Sequence, residues 1–157
     1  MVQVFEGEEC AAAGDRFAIV VSRYNESITG KLLAGALEVL RAAGVDDDRI
    51  LVAWVPGAFE LPTVAARLVR TRRFAAVVCL GAVIRGETTH DQHINRSISH
   101  ALASLGVTTG VPVLFGVLTC ETLEQAIHRA GGNVGNKGVE CAKAALRMVD
   151  LIKKFPT

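Results

Sequence analysis

An excess of charge of either sign is missing from this chain: 17 Lys and Arg stand against 16 Asp and Glu, a formal charge of +1. Such a balance leaves no electrostatic footprint for nucleic acid or an anionic membrane. Long apolar runs are missing too. Each is short and broken by Gly or Pro, which excludes a membrane-spanning helix. Residues 1–16 hold four acids, one base and no long apolar run, unlike a secretory signal. No Cys-x-x-Cys pair exists, so neither a zinc ribbon nor a thioredoxin-type redox motif is offered. A Walker pattern is absent, as is a Gly-x-Gly-x-x-Gly after the first apolar run, and nucleoside triphosphates and dinucleotides are poorly supported. Repeats, polar linkers and low-complexity tracts are absent as well.

What is present is a half-hydrophobic composition with 21% charged residues, which excludes disorder. The length of 157 residues fits one domain over 1–157. Such a chain buries roughly 70% of its unfolded surface, enough for a core without staples. Of the four cysteines, Cys10, Cys79, Cys120 and Cys141, Cys79 and Cys120 sit inside or beside apolar runs and read as small buried hydrophobes. Unpaired cysteines imply a reducing compartment, the cytoplasm.

Four apolar, β-branched runs recur, each followed by a helical pattern. Phe17–Ser22 precedes a helix over Ile28 to Ala43, where Leu32, Leu33, Ala36, Leu37 and Leu40 share a face. Gly44 closes it as a left-handed cap. Ile50–Val55 precedes Phe59 to Arg72, with Pro62 tolerable in the first turn. Ala75–Ile84 precedes Thr88 to Leu105, with Thr88 or Thr89 as N-cap. Val111–Leu118 leads to a helix near Glu121 to Ala130. A Gly-rich elbow, Gly131 to Gly138, then opens a last helix ending near Lys154. Strands apolar throughout are buried on both faces, and alternation of strand and helix implies right-handed crossovers. The expected fold is therefore an α/β/α sandwich of three layers around four parallel strands, in a flavodoxin-like order. Residues 1–15 form an N-terminal arm, and Val2 to Phe5 is a candidate edge strand within the chain or on a neighbour.

In such sheets ligands bind beyond the carboxyl ends of the strands, which selects residues 22–25, 55–60, 81–90 and 115–119. Gly86-Glu-Thr-Thr-His90 joins a strand to a helix, and its free N–H groups with the helix dipole make an anion site. Glu87 has the wrong sign for an anion, so its side chain should point away. An ordinary capped helix start fits equally well. His90 alone among the histidines lies at such a junction and suits proton transfer near neutral pH. His90 and His93 share a helix face, but no third ligand is indicated, so no metal is assigned. The ring of Tyr24 suits stacking on a flat heterocycle, and equally packing on its own loop. Asn25 can donate and accept. Glu60 suits a helix N-terminus or ring N–H groups, Arg129 suits a helix C-terminus, and Trp54 reads as core.

Taken together, several long motifs resemble the lumazine synthase family in order. These are residues 22–25 (Ser-Arg-Tyr-Asn), Trp54 to Pro62, Leu80 to His90, Phe115 to Thr119, residues 124–126 with 129–131, and Gly135 to Gly138. The resemblance covers about residues 16 to 150. It implies condensation of 5-amino-6-(D-ribitylamino)uracil with 3,4-dihydroxy-2-butanone 4-phosphate in riboflavin biosynthesis, without metal or organic cofactor. By the same resemblance Tyr24 stacks on the ring, where the family often has Phe. Asn25, Gly57, Ala58, Phe59 and Glu60, with Ala82, Val83 and Ile84, hold the ring and ribityl chain. Gly86, Glu87 and Thr88 form the phosphate loop, Arg129 is its cationic partner, and His90 transfers protons. Phe115 and Lys137 are implied to come from an adjacent subunit.

The family commonly shows an aromatic, an acid, then Tyr-Val after the histidine; here the residues are Asp91-Gln92-His93-Ile94. That departure concerns the surroundings of His90. The resemblance further implies a homopentamer, and the compact elbow resembles versions that close into sixty-subunit icosahedral capsids enclosing riboflavin synthase. Two rivals remain. A flavodoxin- or receiver-type binding module would need a Ser/Thr-rich loop after the first strand or an Asp ending the third, and the chain has neither. A shell protein that binds flavin or lumazine with little turnover is the other.

Overall fold

Every residue of the first strand, β1 (Phe17–Ser22), is buried. The computed structural model, which describes residues 1–157, pairs it with β2 (Ile50–Val55) on one side and β3 (Ala76–Ile84) on the other. Beyond β3 lies β4 (Val113–Cys120), and the order β2-β1-β3-β4 is parallel throughout. Side chains that lack alternation have nowhere polar to point, so both faces must be covered. One face is covered by α1 (Glu26–Ala42), α4 (Leu123–Arg129) and α5 (Lys137–Lys154), with Leu32, Leu40, Ala142 and Leu146 at its core. The other is covered by α2 (Leu61–Arg70) and α3 (His90–Thr109), through Leu61, Ala65, Ile98 and Leu102. Each such large apolar side chain contributes about 1.5–3 kcal/mol on burial. The result is the expected three-layer sandwich of flavodoxin-like type.

Several boundaries differ from the sequence-based expectation. β4 begins at Val113, because Pro112 has no N–H to give; it offers only its carbonyl, to Val77 N–H at 2.9 Å. α3 runs on to Thr109, where Thr108 and Thr109 donate their hydroxyls back to Ser104 and Leu105 carbonyls, and Gly110 at φ 72° ends it. The elbow is an antiparallel ribbon of β5 (Ala130–Gly132) and β6 (Gly135–Asn136).

The arm forms no strand within the chain, which corrects one of the two options for Val2 to Phe5. Instead it lies along α5. The Phe5 ring stands edge-on to Phe155 at 5.9 Å, and Glu8 N–H donates to Asp150 at 2.8 Å. Lys154 donates to Glu6 O at 2.9 Å, Arg147 pairs with Glu9 and Lys153 with Asp15. Gly7 is pressed so closely on helix α5 that a Cβ there would lie 1.8 Å from the Arg147 carbonyl oxygen. An acidic arm beside a basic helix end explains the preference, though exposed pairs each contribute only ~0–1 kcal/mol.

The hydrogen bond from Lys154, then that from Glu8 N–H, holds the Asp150 carboxyl below its ordinary value of 3.8. The docked state thus binds this proton less tightly than the free state does. Its contribution is complete above the ordinary value and disappears as pH falls through the lowered one. Hydrogen-exchange protection of the Glu8 amide should therefore drop below about pH 4 while β1 and β3 stay protected. Protection of Glu8 that is flat from pH 6 to pH 3 would remove Asp150 as the anchor.

Candidate functional site

Beyond β1 the parallel ladder continues for two residues: Arg23 N–H donates to Val55 O at 2.8 Å and Tyr24 N–H to Pro56 O at 3.0 Å. Asn25 then takes the left-handed conformation, φ 59° and ψ 48°, and starts α1, a turn that short polar side chains accept. Its amide donates to Ala82 O at 3.2 Å, tying the turn to β3. The chain leaves the Tyr24 ring largely exposed. Arg23 lies 4.5 Å over the Trp54 ring and pairs with Glu26 at 2.9 Å. Trp54 is therefore half-buried under a guanidinium rather than enclosed in the core.

After β2 a 3₁₀ turn over Ala58–Glu60 precedes α2, with Pro62 in its first turn. A methyl on Gly57 would lie 3.2 Å from Glu60 Oε2 and 3.9 Å from Tyr24 Cδ2, so this glycine lets carboxylate and ring approach each other. After β3 the backbone opens over residues 85–89, and His90 N–H donates to the Thr88 hydroxyl at 3.3 Å. Thr89 is the N-cap by backbone position, without a capping side-chain bond. The first N–H groups of a 20-residue helix thus point into this region.

These loops enclose a pocket of about 450 Å³. Tyr24, Asn25, Gly57, Ala58, Phe59, Glu60, Ala82, Val83, Ile84, Gly86, Thr88 and His90 all line it. Asp91 and Ile94 line it as well, and the sequence reading had not placed them there. The spacing of Ile94, Ile98 and Leu102 was the available signal, because carrying it back one turn along α3 reaches Asp91. Glu87 does not line the pocket, and neither does any lysine or arginine.

The remaining residues meet elsewhere. Phe115, Arg129 and Lys137 line a second crevice of about 350 Å³ against β4, together with Val117, Leu118, Thr119, Val134 and Glu140. Within one chain Arg129 therefore lines a different pocket from Gly86 and Thr88. Local structure explains its place. Thr122 and Gln125 form a capping box that starts α4, and seven residues later Arg129 ends that helix. The ribbon then folds back, and Asn136 Oδ1 accepts from Gly138 and Val139 N–H at 2.8 and 3.1 Å, starting α5 at Lys137. Asn136 also donates to Lys31 O at 3.0 Å. Gly138 is clasped to α1, since a Cβ there would lie 1.9 Å from Leu32 O. Thr119 falls in the segment 115–119 that the strand-end rule selects, whereas Val134 and Glu140 carried no signal in the sequence as lining residues.

Other chemistries find little footing. Burial pushes the Cys79 thiol up to about 12 and that of Cys141 up to about 11, so neither is a nucleophile near neutral pH. No three His, Cys, Asp or Glu side chains are grouped to hold a metal ion. No helix is long and apolar enough to cross a membrane.

Fold and crevices together define a class: a doubly wound α/β protein with ligand-sized pockets at the carboxyl ends of its strands and against one sheet edge. A family model described as 6,7-dimethyl-8-ribityllumazine synthase matches residues 14–153, and the chain belongs to that family. Among solved structures, a GDP-L-fucose synthetase from Naegleria fowleri is similar at a TM-score of 0.45 and 13% identity, over 97% of this chain and 47% of that one. The chain thus spans about half the length of that protein.

The turn at Asn25 yields a stability test. Asn25→Ala and Asn25→Gly both lose the bond to Ala82, but only Ala is strained at this φ. Denaturant unfolding should place the Ala variant about 1 kcal/mol below the Gly variant; equal values would show that the turn relaxes freely.

Proposed function

We propose that this chain is the transferase that condenses 5-amino-6-(D-ribitylamino)uracil with 3,4-dihydroxy-2-butanone 4-phosphate, giving 6,7-dimethyl-8-ribityllumazine, phosphate and water. The 5-amino group attacks the ketone and water leaves as the imine forms. Phosphate is then eliminated, and attack by the ribityl-bearing nitrogen with loss of a second water closes the ring. Neither metal nor organic cofactor takes part. The whole of 1–157 acts as one unit, in the cytoplasm.

One observation carries this reading. The pocket that offers an aromatic ring, a histidine and a helix N-terminus contains no cation, whereas the crevice against β4 holds Arg129 and Lys137 beside Phe115. A phosphorylated substrate needs both, and charge complementarity is met if the crevice of one copy abuts the pocket of the next. Such a head-to-tail contact closes into a ring, here a homopentamer, with sixty-subunit capsids around riboflavin synthase as its larger form. Leu123, Ile127 and Val134, large apolar side chains left exposed close to Arg129 in the chain, suit burial in that contact.

In this arrangement Tyr24 stacks on the pyrimidine. Glu60, the Ala58 backbone and the side-chain oxygen of Asn25 take the ring edge and ribityl hydroxyls, while Val83 and Ile84 form the floor. Gly57, Phe59 and Ala82 shape the same wall. The N–H groups of Gly86, Glu87 and Thr88 hold the phosphate, met by Arg129 of an adjacent copy, and His90 moves protons between the reacting nitrogen and oxygen. Phe115 and Lys137 of that copy cover the ring. Holding two reactants in register supplies most of the acceleration, with effective molarities of order 10⁵ M or more in well-oriented systems.

Mixing the purified protein with both substrates and following lumazine fluorescence tests the reading directly; correctly folded protein that forms no product refutes it. His90→Ala should retain positioning but lower kcat on the order of 10²-fold, and an unchanged kcat would remove His90 from proton transfer. Arg129→Ala should raise KM for the phosphate substrate about tenfold or more, with little change for the uracil, since bonds to charged groups contribute about 1.5–3 kcal/mol. Equal losses for both substrates would contradict that role.

A further inference from the structure

Arg67, Arg70, Arg72 and Arg73 crowd the end of α2 and the turn that follows it, and all four are exposed. No acid occurs in the chain between Glu60 and Glu87, and none of the four arginines enters an ion pair. At the same end of the sheet Asp46, Asp47 and Asp15 are already taken, by Arg49, Arg41 and Lys153. A chain of formal charge +1 thus concentrates positive charge where its own carboxylates leave it unanswered. The helix dipole accounts for Arg67 and Arg70, which lie in the last turn of α2. Arg72 and Arg73 lie beyond that turn. Arg72 also takes the left-handed conformation, φ 57°, which strains a long side chain and would not strain glycine. The turn is firmly held: Arg72 N–H donates to Val69 O at 3.1 Å, the Thr71 hydroxyl to Leu68 O at 2.6 Å, and Arg73 N–H to that hydroxyl at 3.2 Å. A guanidinium is therefore kept at a position that lowers the stability of the fold, among others of its own sign.

Charge complementarity calls for an anionic partner, and the make-up of the patch selects among anions. Guanidinium forks match carboxylates and phosphates, but a single-stranded nucleic acid also stacks its bases on aromatic rings. None is offered, since Phe74, the one aromatic residue of 61–76, is buried. At about 1.5 Å per helical residue the four arginines span roughly 10 Å, the length of about three residues of extended chain. A duplex demands a broader basic face. We infer that the end of α2 is a docking surface for a short acidic segment of another protein, a run of Asp and Glu residues. Ala75 N–H donates to Arg16 O at 2.7 Å, just before β1, so the surface lies at the amino ends of the strands. The pocket shared by the three loops lies at their carboxyl ends. Docking is thus independent of the reaction assigned above.

Fluorescence anisotropy of labelled hexaglutamate with the full-length assembled protein tests this, against hexaglutamine and a six-nucleotide oligothymidylate. Hexaglutamate should bind and hexaglutamine should not. Binding should vanish between 0.15 M and 1 M salt, as the screening length falls from about 8 to about 3 Å. Combining Arg67→Gln, Arg70→Gln and Arg73→Gln should weaken the complex about tenfold or more, with native mass unchanged. Arg72→Gly should raise the melting temperature by about 2–4 °C while weakening the same complex. Hexaglutamate that does not bind, or that binds the triple variant equally well, overturns the inference. Tighter binding of the oligothymidylate overturns it in favour of nucleic acid. A native mass altered in the triple variant would make the patch a contact between copies, and that result overturns it as well. A lower melting temperature for Arg72→Gly would give Arg72 a role inside the fold and likewise overturns it.

Discussion

Parallel strands all finish on the same side of their sheet, and from that constraint the rest of this molecule follows. With β1 and β3 buried on both faces, helices must return each strand to its starting edge, so the four loops that follow the strands gather at one end. Three of them, after β1, β2 and β3, come close enough to share one pocket. The fourth follows an edge strand whose Phe115 side chain has no further strand beside it. Its polar groups collect with α4 and α5 instead. The division of aromatic, histidine and cation between two crevices is thus a consequence of strand order.

Charge follows the same division. The first pocket is walled by Glu60 and Asp91 and contains no lysine or arginine, while Arg129 and Lys137 stand in the second, with Glu140 3.9 Å from Lys137. A protein with nearly balanced total charge can still be polarised in this way between two edges, and only the folded geometry shows it. The proposed reaction turns this polarity into a reason for assembly, because an anionic reactant is bound well only where the two edges meet.

Much of the fold was legible because its signals are local. Phe17–Ser22 and Ile50–Val55 are read without error from uninterrupted apolar sequence, and Gly44 marks the end of α1 with φ 86°. Errors arose where one residue type serves two patterns. Val111 is as β-prone as Val113, and the break came from Pro112 between them. The ribbon at β5 and β6 consists of five residues that are mostly glycine, with no apolar alternation to announce it. The pocket was legible through the rule that ligands sit beyond strand ends, since its lining lies within a few residues of those ends. Asp91 was harder to read, because an acid at a helix start has an ordinary electrostatic explanation. The arm was misread in part because Val2 to Phe5 has strand-like composition, while the acids after it are drawn to Arg147, Lys153 and Lys154.

Helix α1 lines neither crevice, but residues that border it line both: Asn25 precedes it in the first and Lys137 stands beside it in the second. At its first residue it is anchored by Asn25 to the end of β3, and two turns on Asn136 grips its Lys31 carbonyl. Close to that point Gly138 sits directly on the carbonyl of Leu32. No spare space exists there to absorb movement, so the helix behaves as a stiff rod with a ligand-facing loop at one end and the root of Lys137 at its middle.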